Sequence, residues 1–352
     1  MKLITNKNKN PIQNKINKIN KFLPYILSTI LFILAIFPIS INSLSLSLKT
    51  QTQFNSNSKS NLKSQNLNQN LNALNLSFQK AFLSTEDFQV TNIYPKQQII
   101  NSESIFFDEK NSSIYETGKI KNINILLKKN YPTNKLEKAI PLGNGNLNLN
   151  KSKNSNRNLN FNKNNNFEVK GMAKSGNILY QFSGIHNKIL RFTYPNLDFL
   201  TPIDIDSDIK SGEGLAELSE DFLIASNGTD MVFILDCKND LNVINSFSVK
   251  NSNNQPLFGI KNMVVVGEFI YLTRENDKRI FKISPATGKI LKVYNMLNLL
   301  NFELKTNSIS LIINKSDKGF NFSLNGIAYD KKKKVFILTG KNWGHYYEVD
   351  LK

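Results

Sequence analysis

The feature that most constrains this chain is a unit that recurs five times between residues 104 and 351. The units are SIFFDEKNSSIYETGKIKNINILL (104–127), GMAKSGNILYQFSGIHNKILRFTYP (171–195), GLAELSEDFLIASNGTDMVFILD (214–236), NMVVVGEFIYLTRENDKRIFKISPATG (262–288) and GIAYDKKKKVFILTGKNWGHYYEVDL (326–351). Each opens on a small or polar residue and reaches a polar turn. A second apolar run follows, then a polar loop and a third run, and a turn such as PATGK (285–289) starts a fourth. Short runs rich in Ile, Val, Phe and Tyr between Asp, Asn, Lys and Gly turns describe β-strands. The uninterrupted spacing is near 45 residues, the length of a four-stranded propeller blade. The sequence therefore predicts an all-β, five-bladed β-propeller over residues 86–352. A low-complexity insertion at 141–166 and an irregular one at 301–323 stretch two of the intervals. A β-sandwich with evenly spaced strands is the competing reading.

Charge comes next, because a net +18 invites a nucleic-acid partner. Its location argues against one. Residues 1–85 hold ten lysines and no acid, and 141–166 adds Lys151, Lys153, Arg157 and Lys163. The rest of the chain is close to balanced and has no basic strand interleaved with aromatics. One cysteine, Cys237, rules out a disulfide framework. With only His186 and His345 beside it, no metal site and no cofactor are expected. Neither a P-loop nor a G-x-S-x-G elbow occurs.

Residues 1–21 read as a basic cytosolic tail. Phe22 to Leu48 then runs without a charge. Its centre, at 22–42, is long enough to span a bilayer as a transmembrane or signal-anchor helix. The lysines before it place the following chain in the lumen or outside the cell. A cleaved signal peptide is the alternative. Residues 43–85 read as a low-complexity stalk with a weak helix over 68–83. Sequons at Asn75, Asn111, Asn227, Asn314 and Asn321 are compatible with secretion, though an Asn-rich chain produces many by chance.

Several stretches resemble the plant-type glutaminyl-peptide cyclotransferase (glutamine cyclotransferase) family of five-bladed propellers. LNGIAYDKKKKVFILTGKNWGHYYEV (324–349) is similar to that family's L-N-G-I-A-x-D…T-G-K-x-W-P…Y-E signature, with Gly344 where the family has Pro. ISPATGKI (283–290), GLAEL…LIASNGTDMVFILD and VTNIYPKQQI…SIYETGK (90–119) fit in consistent order. The resemblance implies a peptide partner with an N-terminal Gln. Its α-amine would attack the side-chain amide carbon, giving pyroglutamate and ammonia. Such a reaction needs a proton shuttle, oxyanion donors and a tight pocket.

The resemblance also marks departures. Lys170 stands where the family has its catalytic Glu, with Glu168 two residues earlier. Glu103 replaces a Gln, and Lys261 replaces an Asn with Asn262 beside it. Glu213 and Glu275 replace Trp, which leaves Trp343 as the lone tryptophan. Because SGEGLA (211–216) itself resembles the family's G-E-G-L-T, Glu213 is one catalytic candidate; Lys341, kept in TGK, is the other. Glu103, Lys170, Asn262, Asn325 and Trp343 are the substrate-binding candidates. Two alternatives stay open. In one the charges only neutralise one another in a polar channel, and in the other Trp343 only packs a blade. The chain would then be a catalytically degenerate propeller that acts as a binding or scaffold module. Oligomeric state is not legible.

Overall fold

A computed structural model describes residues 61–97, 99–120, 123–142, 168–184, 187–311 and 322–352. Contacts divide the chain into Met1–Leu71 and Asn72–Lys352. The second unit is a five-bladed β-propeller, each blade a four-stranded antiparallel sheet. Blade 1 is β2 (Asn101–Asp108), β3 (Ser113–Ile120), β4 (Ile123–Asn130) and β5 (Leu136–Pro141). Blade 2 is β6 (Val169–Ser175), β7 (Ile178–Ser183), β8 (Lys188–Thr193) and β9 (Phe199–Asp204). Blade 3 is β10 (Leu215–Glu217), β11 (Phe222–Ser226), β12 (Met231–Asp236) and β13 (Asn242–Ser248). Blade 4 is β14 (Ile260–Val266), β15 (Phe269–Arg274), β16 (Arg279–Ile283) and β17 (Ile290–Asn295).

The last blade holds a topology that the repeat did not reveal. It contains β18 (Leu324–Asp330), β19 (Val335–Gly340) and β20 (His345–Leu351), and its fourth strand is β1 (Phe88–Pro95) from the other end of the propeller. Phe88 pairs with Leu351 and Pro95 with His345. The fifth unit contributes three strands, and β1 covers the outer edge of β20 and closes the circle.

Packing explains why the strands are continuously apolar rather than alternating. Blades stack face to face, so a middle strand is buried on both sides. Along β7, Leu179 joins a cluster with Tyr115 and Leu126 of blade 1. Its neighbours Tyr180 and Phe182 join the cluster of Leu215, Leu223 and Phe233 in blade 3. The outer strand β13 is largely exposed and reads as polar.

Two helices flank the blades. Helix α1 (Asn61–Leu83) begins earlier than the expected 68–83 segment. Its C-terminal end packs into the core: Leu83 is fully buried with Phe88 and Val90. Ser84 Oγ donates to Lys80 O and accepts from Val90 N. The packed body therefore starts before residue 86. Helix α2 (Leu297–Leu311) occupies much of the segment expected to be an irregular insertion. Asn295 caps it, its side chain accepting from Leu297 N at 3.1 Å. Among the described residues no helix is long and apolar enough to cross a membrane. The apolar segment at 22–42, and nearly all of the insertion at 141–166, lie outside the described residues.

A buried ionic cluster holds the seam between blades 5 and 1. Glu116 on β3 has no exposed surface. It accepts from Lys96 Nζ at 2.7 Å and Lys129 Nζ at 2.5 Å, and from the Tyr346 hydroxyl of β20. Lys96 directly follows β1, so the cluster ties the closing strand to blade 1. Burial pushes the Glu116 pKa up, but Lys129 and Lys96 outweigh it and hold the carboxyl well below the usual range. Burial, with some help from Lys129, lowers the pKa of Lys96 although Glu116 opposes the shift. A second carboxylate, Glu348 of β20, accepts from Asn92 Nδ2 at 2.5 Å and from Tyr131 of blade 1 at 3.1 Å.

Removing one partner of a buried ionic cluster costs about 3–5 kcal/mol, so Glu116→Gln should lower unfolding stability by that order at pH 7. The Glu116 pKa is depressed in the folded state. Its contribution is therefore complete above the ordinary carboxylate pKa of about 4.3 and fades as pH falls below that value. Denaturant titrations of both proteins from pH 7 to pH 3 should converge on acidification; parallel curves would refute the assignment.

Candidate functional site

The repeat places equivalent residues at one mouth of the propeller. Each inner strand, or the two residues just before it, carries a polar–x–apolar triplet whose middle residue is Gly or Ser in every blade but the fourth. These are Glu103-Ser104-Ile105, Lys170-Gly171-Met172, Glu213-Gly214-Leu215, Lys261-Asn262-Met263 and Asn325-Gly326-Ile327. The small middle residue is dictated by crowding at the axis. A Cβ on Gly214 would strike the Lys261 carbonyl oxygen, and one on Gly171 would strike the Leu215 amide. Gly171 N donates to Glu213 O at 2.6 Å. Backbones this close bring the preceding polar side chains together.

Those side chains form one alternating chain of charge. Lys341 Nζ, from the turn after β19, lies 3.1 Å from Glu103 Oε1. Glu103 Oε2 lies 3.5 Å from Lys261 Nζ. Lys261 reaches Glu213 Oε2 at 3.7 Å, and Glu213 Oε1 takes Lys170 Nζ at 3.0 Å. Lys170 ends on Glu168 Oε1 at 3.5 Å. Three cations and three carboxylates thus cancel. Burial disfavours the Lys170 charge, but Glu213, with smaller help from Glu168 and Glu103, raises its pKa above the ordinary value.

Burial grades along this chain. Glu103 and Lys261 are almost fully enclosed, whereas side-chain exposure reaches 22% at Glu213 and 21% at Lys341. Glu213 Oε2 accepts no hydrogen bond within the protein. That oxygen is enclosed, and its contact is the ion pair with Lys261 at 3.7 Å.

The remaining sequence candidates divide. Asn262 and Asn325 lie at the ring but are buried and committed to holding it. Asn262 Nδ2 donates to Glu103 O and Asn325 O, both at 2.6 Å. Asn325 Nδ2 donates to Ser102 O at 3.2 Å and Glu103 Oε2 at 3.4 Å. They join blades 1, 4 and 5 and orient Glu103. Trp343 does not join them: it is fully buried, edge-on to Tyr347. An indole sealed inside a blade presents no face to the mouth. Lys261, the link between two carboxylates, and Glu168 complete the chain. One further carboxylate escaped the sequence reading. Glu303 of α2 is buried and bonds the segment that follows Lys341. Its available signal was Asn295, a cap residue before the apolar LNLL run. A cavity of about 910 Å³ opens at the opposite ends of the inner strands, among Phe106, Lys174, Tyr194 and Glu217. It includes none of the candidate residues.

The arrangement suits chemistry in which a proton leaves an amine and a carbonyl oxygen gains charge. It offers a partly exposed carboxylate, Glu213, and a partly exposed ammonium, Lys341. Among the described residues no cluster of His, Cys, Asp and Glu could hold a metal ion.

A sequence model of the family described as glutamine cyclotransferase matches residues 143–351. The chain belongs to the glutamine cyclotransferase family. That match covers blades 2 to 4 and strands β18 to β20 of blade 5, and leaves out β1 and blade 1, where Glu103 resides. The glutaminyl-peptide cyclotransferase of Arabidopsis thaliana is 24% identical over 183 residues, 52% of each chain. The match spans about half the length of that curated relative. The crystal structure of Myxococcus xanthus glutaminyl cyclase superposes with a TM-score of 0.59 at 18% identity. It covers 75% of this chain and 96% of that one, and it agrees with the five-bladed fold.

Lys261 separates Glu103 from Glu213, so Lys261→Met should bring two negative charges together without their counter-ion. The expected cost is about 3 kcal/mol at pH 7. Crowded carboxylates have raised pKa values, so the penalty should shrink as pH falls from 7 to 4. Thermal unfolding across that range measures it; a penalty that is constant with pH would show that the ring charges are not coupled.

Proposed function

We propose that this propeller closes the N-terminal Gln of a peptide into pyroglutamate. Lys341, the residue kept from the family signature, lies beside a carboxylate at the mouth, 3.1 Å from Glu103. That pairing is the observation that carries the reading, and family membership supports it.

In this mechanism the neutral α-amine attacks the side-chain amide carbon, and the carbon–nitrogen bond of the ring forms. The partly exposed Glu213 carboxylate takes the proton that the amine sheds. The carbonyl oxygen becomes negative, and Lys341 donates to it. Glu213 then returns the proton to the departing amide nitrogen, the original carbon–nitrogen bond breaks and ammonia leaves. Glu103 holds Lys341 on one side and Lys261 on the other, while Asn262 and Asn325 fix Glu103. Lys170 pairs with Glu213 at 3.0 Å and holds its carboxylate in place. The apolar segment at 22–42, after its basic tail, supports membrane attachment with the propeller outside the cytosol, where exported peptides expose free N-termini.

A second reading has its own observation. Every carboxylate of the chain is already paired with a lysine, and Trp343 gives no aromatic wall. A neutralised mouth of this kind fits a propeller that binds peptides without turning them over.

Ammonia release from a short peptide with N-terminal Gln, catalysed by the purified full chain, separates the two. Turnover above the uncatalysed rate is expected. Glu213→Gln should lower kcat at least 100-fold, the usual scale for a lost proton shuttle, and Lys341→Met by about 100- to 1,000-fold, as for a lost oxyanion donor. A folded protein with no turnover across several Gln peptides would establish the binding reading. Unchanged turnover in Glu213→Gln would remove Glu213 from the mechanism.

A further inference from the structure

We propose that Glu303, on the helix inserted between blades 4 and 5, is a positioning residue that clamps the Lys341-bearing turn. This deepens the proposed use of Lys341 and rests on that reading for its catalytic meaning. The clamp itself is a statement about geometry.

The turn between β19 and β20 spans Lys341 to Gly344. Its first residue is fixed by the blade: Lys341 N donates to Ser323 O at 2.9 Å, and Lys341 bridges to Asn101 of blade 1. Its last residue is fixed from outside the blade. Glu303 has no exposed surface and sits on α2. Its Oε2 accepts from Gly344 N at 2.7 Å. Its Oε1 accepts from the Tyr347 hydroxyl at 2.6 Å and contacts His345 Nδ1 at 2.8 Å. The imidazole also packs against Phe302, the residue before Glu303. One carboxylate thus gathers three successive features of the chain emerging from the turn. On the other side, Gly344 O accepts from Lys96 N at 2.7 Å, which ties the same residue to the closing seam.

Two observations make this more than a satisfied core acid. First, carrying a carboxylate into a fully buried position is costly unless it is well bonded. Here three of the contacts go to one short segment, residues 344–347. Second, Gly344 stands where the resembling signature has Pro. A proline has no N–H to donate. The bond from Gly344 to Glu303 is therefore one that the signature residue could not make, and it pairs a change in the turn with an acid on an inserted helix. The outcome is a turn held at both ends, so Lys341 meets Glu103 without searching other rotamers of the backbone. Pre-organisation of this kind improves a donor aimed at developing charge.

The test measures Lys341 itself. The full chain is treated with a water-soluble N-hydroxysuccinimide acetate, and acetylation of Lys341 is quantified by mass spectrometry against the exposed Lys331–Lys334 turn as internal reference. Glu303→Gln and Gly344→Pro should each raise the relative labelling of Lys341 at least threefold, because a loosened turn releases the ammonium from Glu103. Tyr347→Phe removes one donor only. It should raise labelling by a smaller factor, and it serves where the other variants fail to fold. With turnover present, Glu303→Gln should lower kcat about tenfold and leave KM nearly unchanged. Labelling that stays within experimental scatter in all folded variants would overturn the clamp, even with a lowered melting temperature. Raised labelling in a protein that releases no ammonia would uphold the clamp and count against the catalytic reading instead.

Discussion

Everything at the functional mouth depends on closing a ring whose two ends are far apart in sequence. The fifth blade has only three strands of its own, and β1 supplies the fourth. Backbone pairing alone would leave the joint between blades 5 and 1 resting on hydrogen bonds of modest net worth. Glu116 adds a buried ionic contact that reaches the end of β1, blade 1 and Tyr346 together. The site uses the same joint. Glu103 belongs to blade 1, Lys341 to blade 5, and their pairing crosses the seam. A seam that slipped by one residue would turn side chains to the opposite face and dissolve the pair.

Five is an odd number, and that shapes the electrostatics of the mouth. Five equivalent positions cannot alternate in sign all the way round. The chain solves this with Glu103, Lys170, Glu213 and Lys261 followed by a neutral Asn325. Asn325 donates to Glu103, and Lys341 enters from a different loop to restore the missing cation. The cost of burying charge is thereby offset at each step by an opposite neighbour. The most enclosed members do the cross-linking and the more exposed ones face solvent.

The inserted helix shows how the repeated architecture acquires an individual feature. Blades supply the same opening triplet five times. Glu303 comes from outside that repeat and acts on one turn of one blade. Such an addition leaves the sheet register intact, since its contacts lie at the end of β19 and the start of β20.

Composition and order alone determined the blade count and the boundaries of the repeat, because each blade must bury both faces of its middle strands and so writes the same apolar runs five times. They also placed Glu103, Lys170, Glu213 and Lys261 at successive blade openings, since period and turn order are local properties, while Lys341 was marked by the TGK resemblance. Three matters belonged to tertiary structure. The first is that residues 88–95 complete the last blade, which depends on pairing across more than 250 residues. The second is that Trp343, in the turn between β19 and β20, is buried: a turn residue can face solvent or core, and packing decides which. The third is the role of Glu303, in a segment whose sequence shows little helical period. A carboxylate is read as a site only by what surrounds it, and those surroundings are assembled when distant segments meet.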